Sequence, residues 1–225
     1  MATTDKPFTR YLSFTLNAFG LVSNLATLYT VHFVYANPFA QGFGGHFQYL
    51  TILALSWATV AFAINMVRCF SPAALPVMYE VVYHIATPLE ALVSLLYWGM
   101  VYVDPHLLVP KGVEPIPFIV DAALHLNPTV ILWTDFLLLN QDFKRSWRHT
   151  GYIYLFAVGY YFWSWLCQIK NGYWPYPFLE AFKAPWQRVA FYVGSGTMSW
   201  LVYEAGALIH AAKLRAQAMA KSKLA

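Results

Sequence analysis

Two long stretches without charged residues constrain this chain more than any other feature of its sequence. Residues Tyr11–Tyr35 and His46–Val67 contain no Asp, Glu, Lys or Arg. Because the hydrocarbon core of a bilayer is about 30 Å thick, a helix needs about 20 consecutive apolar residues to cross it. Membrane-spanning strands would be about 10 residues long and would alternate apolar with polar residues, unlike these runs. The two stretches therefore predict transmembrane α-helices.

Four further segments are long enough to cross a membrane. Ile153–Ile169 and Val189–Ala212 are nearly free of charge, whereas Leu75–Val103 and Ile116–Leu139 contain carboxylates. Charged residues make up only 11% of the chain, against about 25% in an ordinary soluble domain. We therefore predict one integral membrane domain over residues 1–225, an all-α bundle of about six transmembrane helices. The predicted helices are roughly residues 11–35, 46–68, 75–103, 116–140, 152–169 and 188–212.

The basic residues at the helix ends predict the orientation in the membrane. With six crossings both termini lie on one side, and that side holds ten of the 14 Lys and Arg residues. The ten are Lys6, Arg10, Arg68, Lys144, Arg145, Arg148, Lys213, Arg215, Lys221 and Lys223. Because cytoplasmic loops carry the excess of positive charge, both termini are expected in the cytosol. The first apolar run is too long for a signal-peptide core and is expected to remain as an anchor.

Several partner classes are not expected from the sequence. The basic residues flank helices and form no stripe between stacking aromatic side chains, so nucleic acid is not an expected partner. Cys69 and Cys167 are predicted near opposite faces of the membrane, too far apart for a disulfide. Neither cysteine supports a metal site, and no cofactor is implied.

Polar residues inside the predicted crossings are the candidates for function. A charge or unpaired polar group in hydrocarbon costs several kcal/mol, so it usually faces a partner or a cavity. The candidates are Thr51, Glu80, His84, Glu90, Asp121, His125, Asp135 and Glu204. Taken alone, each also has a purely structural interpretation, because hydroxyls bond helix carbonyls and polar side chains join helices.

Topology brings Thr51 and His125 to a similar depth. The second and fourth predicted helices both run inward from the non-cytosolic face, which places these residues about 7 and 13 Å deep at about 1.5 Å per residue. Asp121 lies four residues before His125 and can orient the imidazole. Because a threonine hydroxyl becomes a nucleophile when a neighbouring base takes its proton, the three residues can act as a triad.

Motifs along the chain also resemble a known family. Gly44–Thr51, His125 followed ten residues later by Asp135, Val158–Trp163 and Tyr176–Glu180 are similar to the androgen-induced, or FAR-17a-like, proteins. The similarity covers most of the chain after its first helix. It implies a multi-pass protein of the endomembrane system, with the endoplasmic reticulum expected, that hydrolyses fatty acid esters of hydroxy fatty acids.

The same resemblance assigns roles to residues. It implies Thr51 as the nucleophile and His125 as the histidine base, although the residues after His125 differ from the family's usual ones. Asp121 and Asn127 are candidates for orienting the histidine or supporting an oxyanion. Because the ester lies in hydrocarbon while the free carboxylate of such a lipid stays at the interface, basic or imidazole groups are expected there. Those available are His46, Lys111, Lys183 and Arg188.

Two other functional classes stay open at the level of sequence. A non-catalytic lipid-binding or scaffold protein would use Thr51 and His125 only to join helices. A proton-coupled transporter would use the membrane carboxylates and histidines as a relay. The relay candidates are Glu80, His84, Glu90, Asp121 and Asp135.

Overall fold

The computed structural model describes residues 6–35, 40–109, 112–113, 116–140 and 143–224. These residues form helices and connecting turns and contain no β-strand, which confirms the predicted all-α fold class. The α-helices are α1 (Lys6–Tyr29), α2 (Leu50–Phe70), α3 (Pro76–Met78), α4 (His84–Val103), α5 (Phe118–His125), α6 (Asn127–Thr134), α7 (Trp147–Asn171), α8 (Pro177–Ala181) and α9 (Pro185–Leu224). Short π-helical segments cover Thr30–Val34, Tyr79–Tyr83 and Asp135–Leu139, and 3₁₀ turns cover Gly45–Gln48 and Pro105–Leu107.

The described helices differ in how well they suit a membrane. By length and composition, Leu50–Phe70 and Pro76–Val103 can each cross a bilayer, and the bent pair Phe118–His125 and Asn127–Leu139 would form a third span. Helical residues also overlap the other predicted segments, where Asn, Tyr and Trp side chains make the helices less apolar. The count of about six crossings and the cytosolic termini therefore stay predictions.

Several helix ends lie away from the predicted positions. The second helix begins at Leu50 and not at residue 46, because Gly44 and Gly45 adopt positive φ angles of 86° and 52° and lead into a 3₁₀ turn. Helix α7 begins at Trp147, where the Ser146 hydroxyl accepts a hydrogen bond from the Arg148 N–H. Helix α9 continues to Leu224, because its Ala- and Lys-rich end favours helix.

The predicted helix over residues 116–140 is broken in the structure. Leu126 leaves the helical conformation, with φ −130° and ψ −52°, and the axes of the two halves differ by 42°. Pro128 explains the break, because it cannot donate the next helical hydrogen bond and its ring clashes with the preceding turn. The Ser94 hydroxyl of α4 donates a hydrogen bond to the carbonyl of His125 at the break. The break therefore leaves His125 as the last residue of α5.

A buried hydrogen-bond network and small residues hold the bundle together. Asp135 accepts hydrogen bonds from the Ser13 hydroxyl at 2.5 Å and the Asn17 amide at 3.0 Å, and Asn65 donates to Asn17 at 3.0 Å. In an apolar interior each of these polar groups needs such a partner. Helices α1 and α2 approach closely at Gly20, where an added Cβ would lie 2.7 Å from the Phe62 ring. Asp135 therefore has a structural role in joining helices.

Candidate active site

A cavity of about 1230 Å³ lies among α2, α4, α5, α7 and α9. Most of its wall is apolar, with side chains such as Leu89, Leu92 and Phe156. A smaller set of polar side chains also lines it, including Thr51, Tyr97, Asp121, His125, Tyr160 and Tyr176. Since most small-molecule sites measure about 300–1,000 Å³, this cavity has room for a long lipid chain.

Thr51 lies in the first turn of α2, on the cavity wall, where its side chain is half-buried. The Tyr176 hydroxyl accepts a hydrogen bond of 2.9 Å from the N–H of Leu50, the residue before it. The same hydroxyl also interacts with the side chain and the backbone N–H of Thr51. The threonine is therefore held at a helix start, beside a phenol from a distant part of the chain.

His125 lies on the cavity wall and is only 7% exposed. Its Nδ1 is 2.8 Å from a carboxylate oxygen of Asp121, and its ring stacks on Tyr97 with centroids 3.4 Å apart and planes 2° apart. Because a carboxylate accepts hydrogen bonds, the Nδ1 carries the proton and Nε2 is left as the basic nitrogen. Tyr97 and Asp121 together fix the orientation of the imidazole, and Ser94 binds the backbone carbonyl of the same residue.

Packing between α2 and α5 brings the two predicted residues to one cavity. Ile52 and Leu55 of α2 form a buried cluster with Leu124 of α5. Thr51 and His125 are the chain neighbours of Ile52 and Leu124. The positions of both residues on the cavity wall therefore depend on this apolar contact.

The two candidates for supporting roles have different environments. Asp121 lines the cavity and contacts His125, as the four-residue spacing predicts. Asn127 begins α6 after the break, is half-buried, and is not among the residues that line the cavity.

One of the four residues considered for a lipid carboxylate lies on the cavity wall. His46 lines the cavity, its ring centroid is 4.4 Å from that of His32, and its buried Nε2 has no hydrogen-bond partner among the described residues. His46 precedes α2, and its burial lowers the pKa of the imidazole, which the nearby His32 lowers further. The imidazole is therefore neutral at neutral pH without a ligand, and a bound anion would favour its protonation.

Two of the others lie away from the cavity wall. Lys183 is exposed, and Arg188 donates hydrogen bonds to the carbonyls of Leu179 at 2.9 Å and Phe182 at 2.6 Å at the end of α8. Neither residue is part of the cavity wall. Lys111 lies outside the described residues. Arg188 therefore stabilises the end of a short helix, where its cation faces free carbonyls.

A model of the FAR-17a/AIG1-like proteins matches residues 13–211, which include Thr51 and His125. The chain belongs to the FAR-17a/AIG1-like family. It is similar to a UPF0641 membrane protein of Schizosaccharomyces pombe, with 32% identity over 76% of this chain and 77% of the relative. A UPF0641 membrane protein of Saccharomyces cerevisiae is 29% identical over 71% of this chain and 74% of the relative. No solved structure gives a significant match.

Family membership confirms the resemblance and the membrane location, and the structure adds residues that the sequence did not single out. Tyr97 stacks on the histidine, and the Tyr176 and Tyr160 hydroxyls lie at the start of α2. Tyr160 and Tyr176 both belong to the motifs that carry the resemblance to the FAR-17a/AIG1-like family. The motifs could therefore have identified Tyr160 and Tyr176 as candidate site residues. Tyr97 lies in no such motif, so the sequence offered no signal for it.

A second cluster of potential ligands lies away from this cavity. Among the described residues, Glu80, His84 and His149 place one ligand atom each within 4.8 Å of one another. The His149 nitrogens already contact the Tyr203 hydroxyl at 2.7 Å and Glu80 at 2.9 Å. The His84 and His149 rings stack with centroids 3.6 Å apart, so an ion at about 2.1 Å cannot lie in both ring planes. The cluster therefore holds α7 against the π-helical segment Tyr79–Tyr83 and α9 by hydrogen bonds, and against α4 by ring stacking.

Proposed function

We propose that this FAR-17a/AIG1-like protein is an intramembrane threonine hydrolase that cleaves fatty acid esters of hydroxy fatty acids. One observation carries the proposal: Thr51 and His125, with its Nδ1 held by Asp121, line the same large apolar cavity. A carboxylate-oriented imidazole and a hydroxyl on the wall of one cavity are the groups that a threonine hydrolase requires. The resemblance stated from the motifs assigns the same two residues.

The proposed reaction has two acyl-transfer steps. His125 takes the proton of the Thr51 hydroxyl while the oxygen attacks the ester carbonyl, and the carbonyl π electrons move onto its oxygen. The carbonyl re-forms, the bond to the alcohol oxygen breaks, and the hydroxy fatty acid leaves with the proton from His125. Water then attacks the acyl-threonine, gives a proton to His125, and releases the fatty acid as the proton returns to Thr51. Asp121 stabilises the imidazolium formed in each step.

The lipid substrate fits the cavity by its chemistry. An ester along a branched acyl chain lies in hydrocarbon, so the residue that attacks it must lie in an apolar cavity. His46 lines the same cavity near the start of α2 and is the candidate for the carboxylate of the lipid.

We also propose about six crossings, with both termini in the cytosol and residence in the endoplasmic reticulum membrane. The excess of basic residues on one side supports the orientation. An endomembrane enzyme would meet its lipid substrate within the bilayer where it resides.

The first experiment measures hydrolysis of a hydroxy-fatty-acid ester by protein purified in detergent. Thr51→Ala and His125→Gln are each expected to lower kcat by on the order of 10³-fold or more, because each removes a group that bonds to or takes a proton from the reacting atoms. Thr51→Ser is expected to keep part of the activity, because serine retains the hydroxyl. Thr197→Ala and His210→Gln are matched controls, since neither residue lines the cavity.

The outcomes separate the functional classes. Activity retained by Thr51→Ala would exclude the nucleophile role. A non-catalytic lipid-binding protein would show no hydrolysis in the wild type but would still bind the lipid. In that case Thr51→Ser and Thr51→Ala would bind the lipid equally well. An acyl adduct detected on Thr51 by mass spectrometry would support the covalent step directly.

A further inference from the structure

The Tyr176 side chain is held rigidly at the start of α2. It follows α7, which ends at Asn171 before Gly172 with a φ of 79°, and it precedes Pro177 at the start of α8. Its ring packs edge-on against Tyr49 with centroids 5.6 Å apart and stacks on Phe178 at 5.7 Å. These ring contacts fix the position of the Tyr176 hydroxyl on the cavity wall.

The hydrogen bond from Leu50 does not use the proton of Tyr176. The Tyr176 oxygen accepts the Leu50 N–H at 2.9 Å, so the phenol O–H can still donate. The neighbouring Tyr160 hydroxyl donates to the Gln48 carbonyl at 3.2 Å and also interacts with the Tyr176 hydroxyl. Burial raises the pKa of Tyr176, which lies in the segment between α7 and α8, so its hydroxyl stays protonated at neutral pH. The phenol is therefore a hydrogen-bond donor beside Thr51.

Two other tyrosine hydroxyls of the cavity wall have different partners. The Tyr97 hydroxyl interacts with the Asp121 carboxylate, and the Tyr192 hydroxyl is 2.6 Å from that of Ser164. Asn127 does not line the cavity. Tyr176, by contrast, interacts with the Thr51 hydroxyl itself.

We propose that the Tyr176 hydroxyl is the oxyanion donor of the site, placed to hydrogen-bond the substrate carbonyl oxygen as Thr51 attacks. This inference rests on the proposed hydrolase function and extends it by a third catalytic group. As the Thr51 oxygen bonds to the carbonyl carbon, the carbonyl π electron pair moves to oxygen, and Tyr176 donates a hydrogen bond to that oxyanion without transferring its proton. The bond to the alcohol oxygen then breaks, and the leaving group takes the proton held by His125. The Leu50 N–H strengthens the donor, because an accepted hydrogen bond polarises the O–H bond.

The test compares Tyr176→Phe, which keeps the ring and removes only the hydroxyl, with Tyr203→Phe. Tyr203 is also buried and hydrogen-bonded, to His149 at 2.7 Å, but it does not line the cavity. Loss of one oxyanion donor costs about 10²–10³-fold in kcat, so Tyr176→Phe is expected to lower kcat by that factor with KM within about three-fold. Tyr203→Phe is expected to keep the wild-type kcat.

Inhibitor binding gives a readout that a structural role would not change. A trifluoromethyl ketone analogue of the ester forms a tetrahedral oxyanion on Thr51, whereas the corresponding ether cannot. Tyr176→Phe is expected to weaken the ketone by the same factor as kcat and to leave the affinity for the ether unchanged. Equal weakening of both inhibitors, or a kcat within three-fold of wild type, would overturn the oxyanion role.

The result for Tyr176 is distinct from a failure of the proposed function. An inactive wild-type protein, or an active Thr51→Ala variant, would overturn the hydrolase mechanism and this inference with it. A Thr51-dependent activity that Tyr176→Phe leaves intact would overturn the oxyanion role alone. If Tyr176→Phe fails to fold, Tyr176→3-fluorotyrosine replaces it, and an unchanged ketone affinity with that more acidic phenol would also count against the proposal.

Discussion

At the scale of single residues, His125 is held from three directions. Asp121 contacts Nδ1 at 2.8 Å, Tyr97 covers one face of the ring, and Ser94 bonds the backbone carbonyl. A neutral imidazole has one donor and one acceptor, and the Asp121 contact occupies the donor, so Nε2 keeps its lone pair. The arrangement therefore suits a base whose orientation matters.

Asp121→Asn tests the contribution of the carboxylate. The amide oxygen can still accept from Nδ1, but it does not carry the charge that stabilises the imidazolium formed during the reaction. We expect kcat to fall on the order of 10²-fold with KM nearly unchanged. Steady-state kinetics measures both values, and thermal unfolding checks that the variant is folded. A parallel loss of stability and activity would indicate a structural role instead.

Glu90 offers a stability prediction. Its side chain is 1% exposed, and neither carboxylate oxygen has a hydrogen-bond partner among the described residues. Because an unsatisfied buried polar group costs about 1–3 kcal/mol, we expect Glu90→Leu to raise the melting temperature in detergent. Glu90→Gln, which keeps a polar group, serves as the comparison. A lower melting temperature for Glu90→Leu would show that the carboxyl group has a partner, as the transporter interpretation requires.

The pH dependence of substrate binding tests His46. Burial lowers the pKa of His46 below its ordinary value of 6.5, and only the protonated imidazole carries a charge that attracts a carboxylate. We therefore expect the KM for the free acid to decrease as pH falls below about 6.5, while the KM for its methyl ester stays constant. His46→Gln should remove this difference. Equal pH dependence for acid and methyl ester would exclude the role.

At the scale of helices, the break between α5 and α6 sets where the histidine points. Pro128→Ala restores the missing N–H and should reduce the 42° bend, which turns His125 away from its present position. We expect kcat to fall about ten-fold or more while the melting temperature stays the same or rises, since an interior proline costs a helix about 3 kcal/mol. Pro88→Ala in α4 is the control, because Pro88 lies inside a different helix, away from the break between α5 and α6. An unchanged kcat in Pro128→Ala would show that the bend does not affect catalysis.

At the scale of the whole molecule, the proposed topology makes a prediction about sidedness. Tags on both termini should be digested by protease added to intact microsomes. A glycosylation acceptor inserted between residues 104 and 117 should be modified, and one inserted between residues 143 and 146 should not, because only lumenal sites meet the transferase. Protection of either terminus would overturn the count of about six crossings, and it would leave the cavity chemistry untouched.

The sequence by itself determined those features that depend on neighbours along one helix. Uncharged runs indicated the helical membrane fold, the four-residue spacing placed Asp121 on His125, and the motifs indicated the family. These predictions succeed because helix periodicity and the cost of charge in hydrocarbon act locally. Pro128 is likewise a local cause of the break between α5 and α6, although the 42° size of the bend depends on packing.

Only the tertiary structure decided which distant segments share the cavity. Leu50 and Tyr176 are 126 positions apart, and no local spacing predicts that the phenol reaches the start of α2. In the structure, Arg188 hydrogen-bonds carbonyls at the end of α8, although its charge alone made it a candidate for binding a lipid carboxylate. Such contacts arise from the packing of whole helices, because the direction of a side chain between segments depends on how all the apolar surfaces fit together.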